Sequence, residues 1–125
     1  MEKNAKGFRT LSAWNKAYEL TLIIYKISKT FPKEETYALT SQLQRAAVSV
    51  PANIAEGYER NSKKEYLQFL YIAKGSLGEV ETHLLLTRDL GYIDEQAYRG
   101  ACALRDETAM ILRGLIRSLE SAART

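Results

Sequence analysis

Residues 46–55 form a run of ten positions without a charged side chain, in a chain in which 26% of the residues are charged. At about 100° per residue the run covers almost three helical turns, so every side of such a helix is apolar or small. A helix that is apolar all round is buried all round, but a chain of 125 residues has too small a core to enclose one completely. We therefore expect one face of this helix to pack inside the protomer and another to pack against a second protomer.

The composition narrows the class of protein. Seven glycines and two prolines disfavour a turn-rich all-β fold. Cys102 is the only cysteine, so neither an intramolecular disulfide nor a thiolate metal cluster is expected, and a reducing cytoplasm is the expected compartment. Residues 1–9 have no apolar core of a signal peptide, and no stretch approaches the length of a membrane span. The sequence therefore predicts a single cytoplasmic domain over 1–125.

Apolar residues recur at alternating spacings of three and four in four segments, the pattern of helices packed in a bundle. We predict helices at about 11–31, 34–58, 63–90 and 95–123. Because the connections are short, neighbouring helices should be antiparallel, which gives an all-α, up-down-up-down four-helix bundle. Trp14, Tyr18 and Tyr25 should widen the inner face of the first helix. The inner face of the fourth helix should consist of Ala101, Leu104, Thr108, Ile111, Leu115, Leu119 and Ala122.

Local signals mark where these helices begin, bend and end. Ser62 and Glu65 have the spacing of a capping box. Gly91 is placed to close the third helix, and Asp94 is placed to cap the fourth. Pro51 removes the hydrogen bond to the Ala47 carbonyl and predicts a kink. Residues 75 and 78 are glycines inside the third helix, which we expect to mark the close approach of a neighbouring backbone.

The second helix carries a polar stripe beside its apolar inner face. Polar groups between two buried faces must find partners, so we expect a structural network at a helix or subunit boundary, with Glu79, Glu81 or the Asn53 amide binding Arg45. A ligand or catalytic site is the alternative. The stripe consists of Gln42, Arg45, Ser49, Asn53 and Glu56, and the small residues expected at the oligomer interface are Val48, Pro51, Ala52 and Ala55.

The segment 42–57, which reads Gln-Leu-Gln-Arg-Ala-Ala-Val-Ser-Val-Pro-Ala-Asn-Ile-Ala-Glu-Gly, resembles the signature of a bacterial family. Its members are four-helix-bundle proteins often encoded by intervening sequences within large-subunit ribosomal RNA genes. Segments 11–20, 31–39, 66–82 and 90–93 resemble the same family, so the likeness covers nearly the whole chain. It implies a ring-shaped homopentamer with no known enzymatic activity. The family is also similar to the accessory variability determinants of diversity-generating retroelements, pentameric bundles that partner a reverse transcriptase and its RNA.

The sequence favours neither catalysis nor a metal or other cofactor. A di-iron bundle needs Glu-x-x-His pairs on two helices, whereas Glu79 and the only histidine, His83, are four residues apart. Helical-bundle ribonucleases of the Arg-x(4–6)-His type need an arginine at 76–78, where the chain has Ser-Leu-Gly. The glycines of the third helix lack the strand and lysine of a phosphate-binding loop. We therefore expect a non-enzymatic protein.

The charges are unevenly distributed. Residues 1–33 contain seven basic and two acidic side chains, and residues 79–95 contain one basic and five acidic side chains. In an antiparallel bundle the start of the first helix lies near the end of the fourth, so basic side chains should gather there and bind RNA phosphates. The alternatives are an adaptor that binds a reverse transcriptase and a structural protein with no partner but itself. The candidate nucleic-acid-binding residues are Lys6, Arg9, Lys16, Arg113, Arg117 and Arg124.

Overall fold

The computed structural model describes residues 5–123, and every regular element in that range is a helix. The four long helices are α1 (Ser12–Ser28), α2 (Leu39–Tyr58), α3 (Lys63–Asp89) and α4 (Glu95–Ala123). Short 3-10 helices span Gly7–Thr10 and Lys33–Glu35. The helix α1 packs against α2 and α4, and α3 packs against the same two helices, which is the predicted four-helix bundle. None of these helices combines the length and the apolar character needed to cross a membrane.

Two predicted helix boundaries were wrong by several residues. The first helix ends at Ser28, and the second begins at Leu39 instead of near residue 34. Pro32 has an extended backbone (ψ 143°), so the chain leaves the helical region before it. The next turn is a separate 3-10 helix, after which the Glu35 carboxylate accepts the backbone N–H of Leu39 at 3.3 Å. This bond satisfies one of the free amides with which α2 begins.

The predicted caps are present. The Ser62 hydroxyl accepts the Glu65 N–H at 3.2 Å, as in a capping box. The Asp94 carboxylate accepts the Ala97 N–H at 2.7 Å at the start of α4. Gly91 has a positive φ of 78°, and the following Tyr92 N–H donates to the Thr87 carbonyl at 2.8 Å, which closes α3. These local bonds define where the long helices stop and start.

The core runs along the bundle axis and is made mainly of aliphatic side chains. The α4 contribution is rotated from the predicted one, because Leu112 and Ile116 are buried while Ile111 and Leu115 are only partly buried. Apolar residues cover a wide arc of α4, so their spacing alone did not show which row of side chains faces the core. The fully buried large aliphatic side chains are Leu20, Ile24, Leu43, Val50, Ile54, Leu70, Leu77, Val80, Leu84 and Leu112.

Pro51 lies inside α2, which continues helical through it to Tyr58. It is buried, so the prediction that it belongs to the outward, interface-forming face was wrong. The Ala47 carbonyl, which lacks its usual helical donor, faces the Thr21 hydroxyl of α1 at 3.1 Å. That hydroxyl also lies 2.9 Å from the Ala17 carbonyl. A side chain of α1 thus offers the Ala47 carbonyl a donor, whose single proton is shared with the Ala17 carbonyl.

We expect Thr21→Val to lower the free energy of unfolding by about 1–2 kcal/mol, because it keeps the side-chain shape and leaves the Ala47 carbonyl without a donor. Thr82→Val is the matched control, since the Thr82 hydroxyl is exposed and donates to Gly78 of its own helix. Urea titration of both variants at one protein concentration measures the difference. Equal midpoints for the two variants would show that Thr21 is not needed to compensate for Pro51.

Candidate functional site

The uncharged segment of α2 has one buried face and one open face. Val50 and Ile54 are fully buried in the bundle. Val48 is 40% exposed and Ala52 is exposed, while Ala55 is partly exposed. Within residues 5–123, therefore, the outward side of this uncharged stretch of helix is left largely uncovered. This is the geometry expected if a second molecule completes the burial.

The neighbouring side of α1 is apolar and open as well. Tyr18 is 48%, Leu22 56% and Tyr25 43% exposed. Contacts between the two antiparallel helices, Thr21 with the Ala47 carbonyl and the Gln44 amide with the Ser28 hydroxyl (2.9 Å), place Leu22 about level with Val48. The two open faces therefore adjoin. We refer to them together as the α1–α2 apolar surface, made of Tyr18, Leu22, Tyr25, Val48, Ala52 and Ala55.

Sequence reasoning missed the α1 half of this surface. The tyrosines at 18 and 25 were expected to widen the core, but they point away from it. The signal was present in their spacing. Tyr18, Leu22 and Tyr25 repeat at intervals of four and three, a stripe of their own displaced from the buried Ala17, Leu20 and Ile24 line.

Three members of the polar stripe are bonded within the protomer. The Ser49 hydroxyl lies 2.8 Å from the Ser76 hydroxyl of α3. The Asn53 amide donates to the Ser49 carbonyl at 2.7 Å and to its hydroxyl at 2.9 Å. Glu56 pairs with Arg60 at 3.0 Å. Ser49 thus links α2 to α3, and Glu56 links α2 to Arg60, which lies just beyond the C-terminal end of the same helix.

The other two members, Gln42 and Arg45, line an open groove between α2 and α3. Its volume is about 270 Å³. Among the described residues, none of the predicted partners binds Arg45: Glu81 pairs instead with Arg105 at 3.6 Å, the Asn53 amide nitrogen donates to Ser49, and Glu79 lines the same groove without forming an ion pair with Arg45. We call this cavity the α2–α3 groove. Its lining consists of Gln42, Arg45, Ala46, Ser49, Glu79 and His83.

One of the predicted basic residues is neutralised. The Lys16 ammonium lies 3.5 Å from a carboxylate oxygen of Glu107 and 3.5 Å from one of Glu19. The Glu107 carboxylate, and then that of Glu19, raise the pKa of Lys16 above its ordinary value. Lys16 therefore pairs with carboxylates of both α1 and α4, which makes it less available to phosphate than an unpaired lysine.

The remaining candidates lie toward one end of the bundle. Lys16 is level with Glu107, so Arg113 lies about 9 Å further along α4, in the direction of the start of α1. Arg113, Arg117 and Lys6 are exposed. Arg9 is partly buried and takes part in interactions of its own. Arg124 lies outside the described residues.

The described part of the chain contains no group of three or more histidine, cysteine or acidic side chains that could hold a metal ion. Glu79 and His83 line the same groove, and the Nδ1 atom of His83 is buried without a hydrogen-bond partner among the described residues. Cys102 is partly buried next to the core.

Comparison with known proteins gives a family and a fold. Residues 9–114 match the family described as 23S rRNA-intervening sequence protein. The chain is also similar to a crystal structure from Bacteroides thetaiotaomicron described as a protein with unknown function from the S23 ribosomal protein family. The two sequences are 25% identical, the TM-score is 0.77, and the match covers 83% of this chain and 97% of the other. No curated protein matches the chain significantly.

Proposed function

Because the chain belongs to the 23S rRNA-intervening sequence protein family, we propose that it acts as a non-enzymatic, ring-shaped homopentamer that binds structured RNA through the basic end of its bundles. The observation that carries the proposal is the α1–α2 apolar surface, which the isolated protomer leaves in contact with water. The subunit number comes from the family resemblance. The basic end supplies the RNA contacts.

The apolar surface supports self-assembly for two reasons. Three large side chains and the outward face of α2 are exposed side by side, and contiguous patches of this kind on soluble proteins mark interaction sites. The surface also lies on one side of the bundle. Two copies bring this surface into contact with itself only when a twofold axis relates them, and any other docking brings it against a different surface of the neighbour. Contacts between two different surfaces close into a ring when the rotation that relates successive copies closes on itself, and the proposal takes this closure from the family resemblance.

The charge distribution supports an RNA partner. Lys6, Arg113 and Arg117 are exposed near the same end of the bundle, and no ion pair occupies them among the described residues. The acidic side chain three residues after Arg117, Glu120, accepts a hydrogen bond from the Tyr71 hydroxyl, while Glu59 lies close to Gly7 and so near Lys6. In a ring these cations repeat around the axis, and an array of cations binds phosphates in a salt-dependent manner without reading base sequence.

The solution mass tests the assembly. Light scattering should give about five times the 14.2 kDa of the chain, and the mass should persist on dilution well into the micromolar range. A stable monomer would refute the proposal. A different multiple would correct the subunit number and leave the self-assembling scaffold in place.

Gel shifts with a structured RNA test the partner. Arg113→Glu with Arg117→Glu should weaken binding at least tenfold and flatten its dependence on salt, because two phosphate contacts are lost. The control is Lys29→Glu with Arg99→Glu, which changes the net charge equally at the opposite end of the bundle, where both side chains are exposed. Equal loss in both double variants would mean that net charge and not this site attracts RNA. No binding by the wild type would leave a structural protein with no partner but itself.

A further inference from the structure

A basic face that contains one open tyrosine ring lies along the contact between α3 and α4. Its four cations are exposed, and none of them forms an ion pair among residues 5–123. They are Lys63 and Lys74 of α3 and Arg113 and Arg117 of α4. The tyrosine is Tyr71 of α3, which is 44% exposed. We call these five side chains the α3–α4 basic face. Only its two arginines were among the candidates for nucleic-acid binding that the sequence indicated.

A hydrogen bond between the two helices turns the arginines toward α3. The Tyr71 hydroxyl donates to the Glu120 carboxylate of α4, so the row of α4 that carries Glu120 faces α3. Arg113 is seven residues before Glu120, and the two positions differ by only about 20° around the helix. Arg117 lies between them along the axis. The tyrosine ring is therefore bonded to the stretch of α4 that carries both arginines.

The lysines face α4 by a similar argument. Glu81 of α3 pairs with Arg105 of α4 at 3.6 Å, so the row of α3 that carries Glu81 faces α4. Lys74 is seven residues before Glu81, and Lys63 is a further eleven residues back, so each step turns by only about 20° around the helix. The lysines of α3 and the arginines of α4 thus border the same seam.

The acidic side chains on these rows are already engaged. Glu120 accepts the hydrogen bond from Tyr71. Arg105 lies 3.6 Å from a carboxylate oxygen of Glu81 and 3.0 Å from one of Asp106. The four exposed cations have no such partner and give the face a positive potential. A positive face of this kind attracts phosphate groups.

The ring of Tyr71 is held at its hydroxyl and has open space beside it. The ring of Tyr58 packs against that of Tyr66 with the centroids 6.2 Å apart, whereas the Tyr71 ring packs on no aromatic ring or cation among the described residues. One and two turns further along the same side of α3 are Gly75 and Gly78. A β-carbon at either glycine would meet nothing within 4 Å. A planar group therefore has room next to the tyrosine ring.

We propose that the α3–α4 basic face binds an unpaired stretch of RNA, with one base stacked on the Tyr71 ring and the neighbouring phosphates on the four cations. The inference rests on the proposed RNA binding and adds the form of RNA that is bound. Every base has a flat face, so stacking on an aromatic side chain is independent of sequence. Bases within a duplex already stack on their neighbours, so loops, bulges and single strands are the forms that use the ring.

Gel shifts at one salt concentration test the inference with three RNA probes that have equal numbers of nucleotides. The probes are a hairpin with an open loop, an unstructured single strand and a blunt duplex. Tyr71→Ala should weaken binding of the hairpin and the single strand about fivefold or more, and leave binding of the duplex unchanged. Tyr71→Phe should bind all three like wild type, because the ring remains. Gly75→Leu should act like Tyr71→Ala, because its side chain fills the space beside the ring.

Two further variants separate stacking from charge. Tyr37→Ala is the matched control, since Tyr37 is 96% exposed at the opposite end of the bundle, and it should change no affinity. Lys74→Ala should weaken binding of all three probes and flatten its salt dependence, because a phosphate contact does not depend on base pairing. Circular dichroism checks that every variant keeps its helices.

The inference is overturned if Tyr71→Ala changes no affinity, or if it weakens duplex binding as much as the others. If Arg113→Glu with Arg117→Glu weakens RNA binding while Tyr71→Ala does not, the proposed RNA contact stands and the stacking is wrong. If the wild type binds none of the probes, both proposals fail, and binding of polyglutamate in that case would assign the face to an acidic protein segment. The face lies within one protomer, so the result does not depend on the subunit number.

Discussion

Ala52→Glu is expected to convert the assembly to monomers at micromolar concentration while leaving the protomer folded. Ala52 is exposed on the outward face of α2, so a longer, charged side chain fits the isolated bundle without displacing any core residue. In the assembly the same carboxylate would be buried against apolar groups of the neighbour. Burial of an unpaired charge costs several kcal/mol, so the dissociation constant should rise by roughly 100-fold or more.

Light scattering measures the loss of mass, and circular dichroism checks that helicity is retained. Ala103→Glu is the control, because it introduces the same side chain at an exposed position on the outer side of α4. If Ala52→Glu keeps the wild-type mass, the α1–α2 apolar surface is not the subunit contact. If only Ala103→Glu dissociates the protein, the contact lies on α4 instead.

The architecture was readable from the sequence because several independent signals agree. The apolar spacing of α3, its capping box at Ser62 and the closing Gly91 all indicate one helix with the same ends. Where a sequence signal was weak, the observed element differs from the predicted one. The start of α2 depends on a single bond from Glu35, and the central line of α4 depends on which of two adjacent apolar rows meets the core.

The open face of α2 was predicted from its lack of charge, and Val48 and Ala52 are indeed uncovered in the protomer. Which residues belong to this open face was not fully predictable. Pro51 is buried, and the Thr21 hydroxyl lies within hydrogen-bond distance of the Ala47 carbonyl. That bond depends on the register between α1 and α2, which neither helix specifies alone. The same limit explains the exposed Tyr18 and Tyr25, whose spacing also fits a broad core stripe.

The glycines of α2 and α3 show that a glycine within a helix does not by itself mark a close contact between helices. The sequence marked residues 75 and 78 as places of close backbone approach. In the structure a β-carbon at either position would meet nothing within 4 Å of the described chain, so that prediction was wrong for the protomer. The close approach is instead at Gly57, where α2 crosses α3. A β-carbon there would lie 2.9 Å from Phe69 Cβ and 3.1 Å from the Tyr66 carbonyl oxygen.

We therefore expect Gly57→Ala and Gly75→Ala to change stability in opposite directions. Alanine in a helix is favoured over glycine by roughly 1 kcal/mol, and Gly75→Ala should gain most of that because its surroundings are open. At Gly57 the obstructing atoms are a β-carbon and a backbone oxygen, which move only if the helices separate. Such overpacking costs about 1–3 kcal/mol, so Gly57→Ala should be destabilised overall.

Urea unfolding of the two variants and wild type measures these changes, with all three at one protein concentration because the unfolding midpoint of an assembled protein depends on concentration. Gly57→Leu extends the series, because a larger side chain at the same crossing should lower the unfolding midpoint further or prevent folding. A stabilised Gly57→Ala variant would mean that α2 and α3 are further apart than the contact with Phe69 requires. The hydroxyl pair at Ser49 and Ser76, two turns away on the same helix contact, would then be loosened too, and with it the register that aligns the walls of the α2–α3 groove.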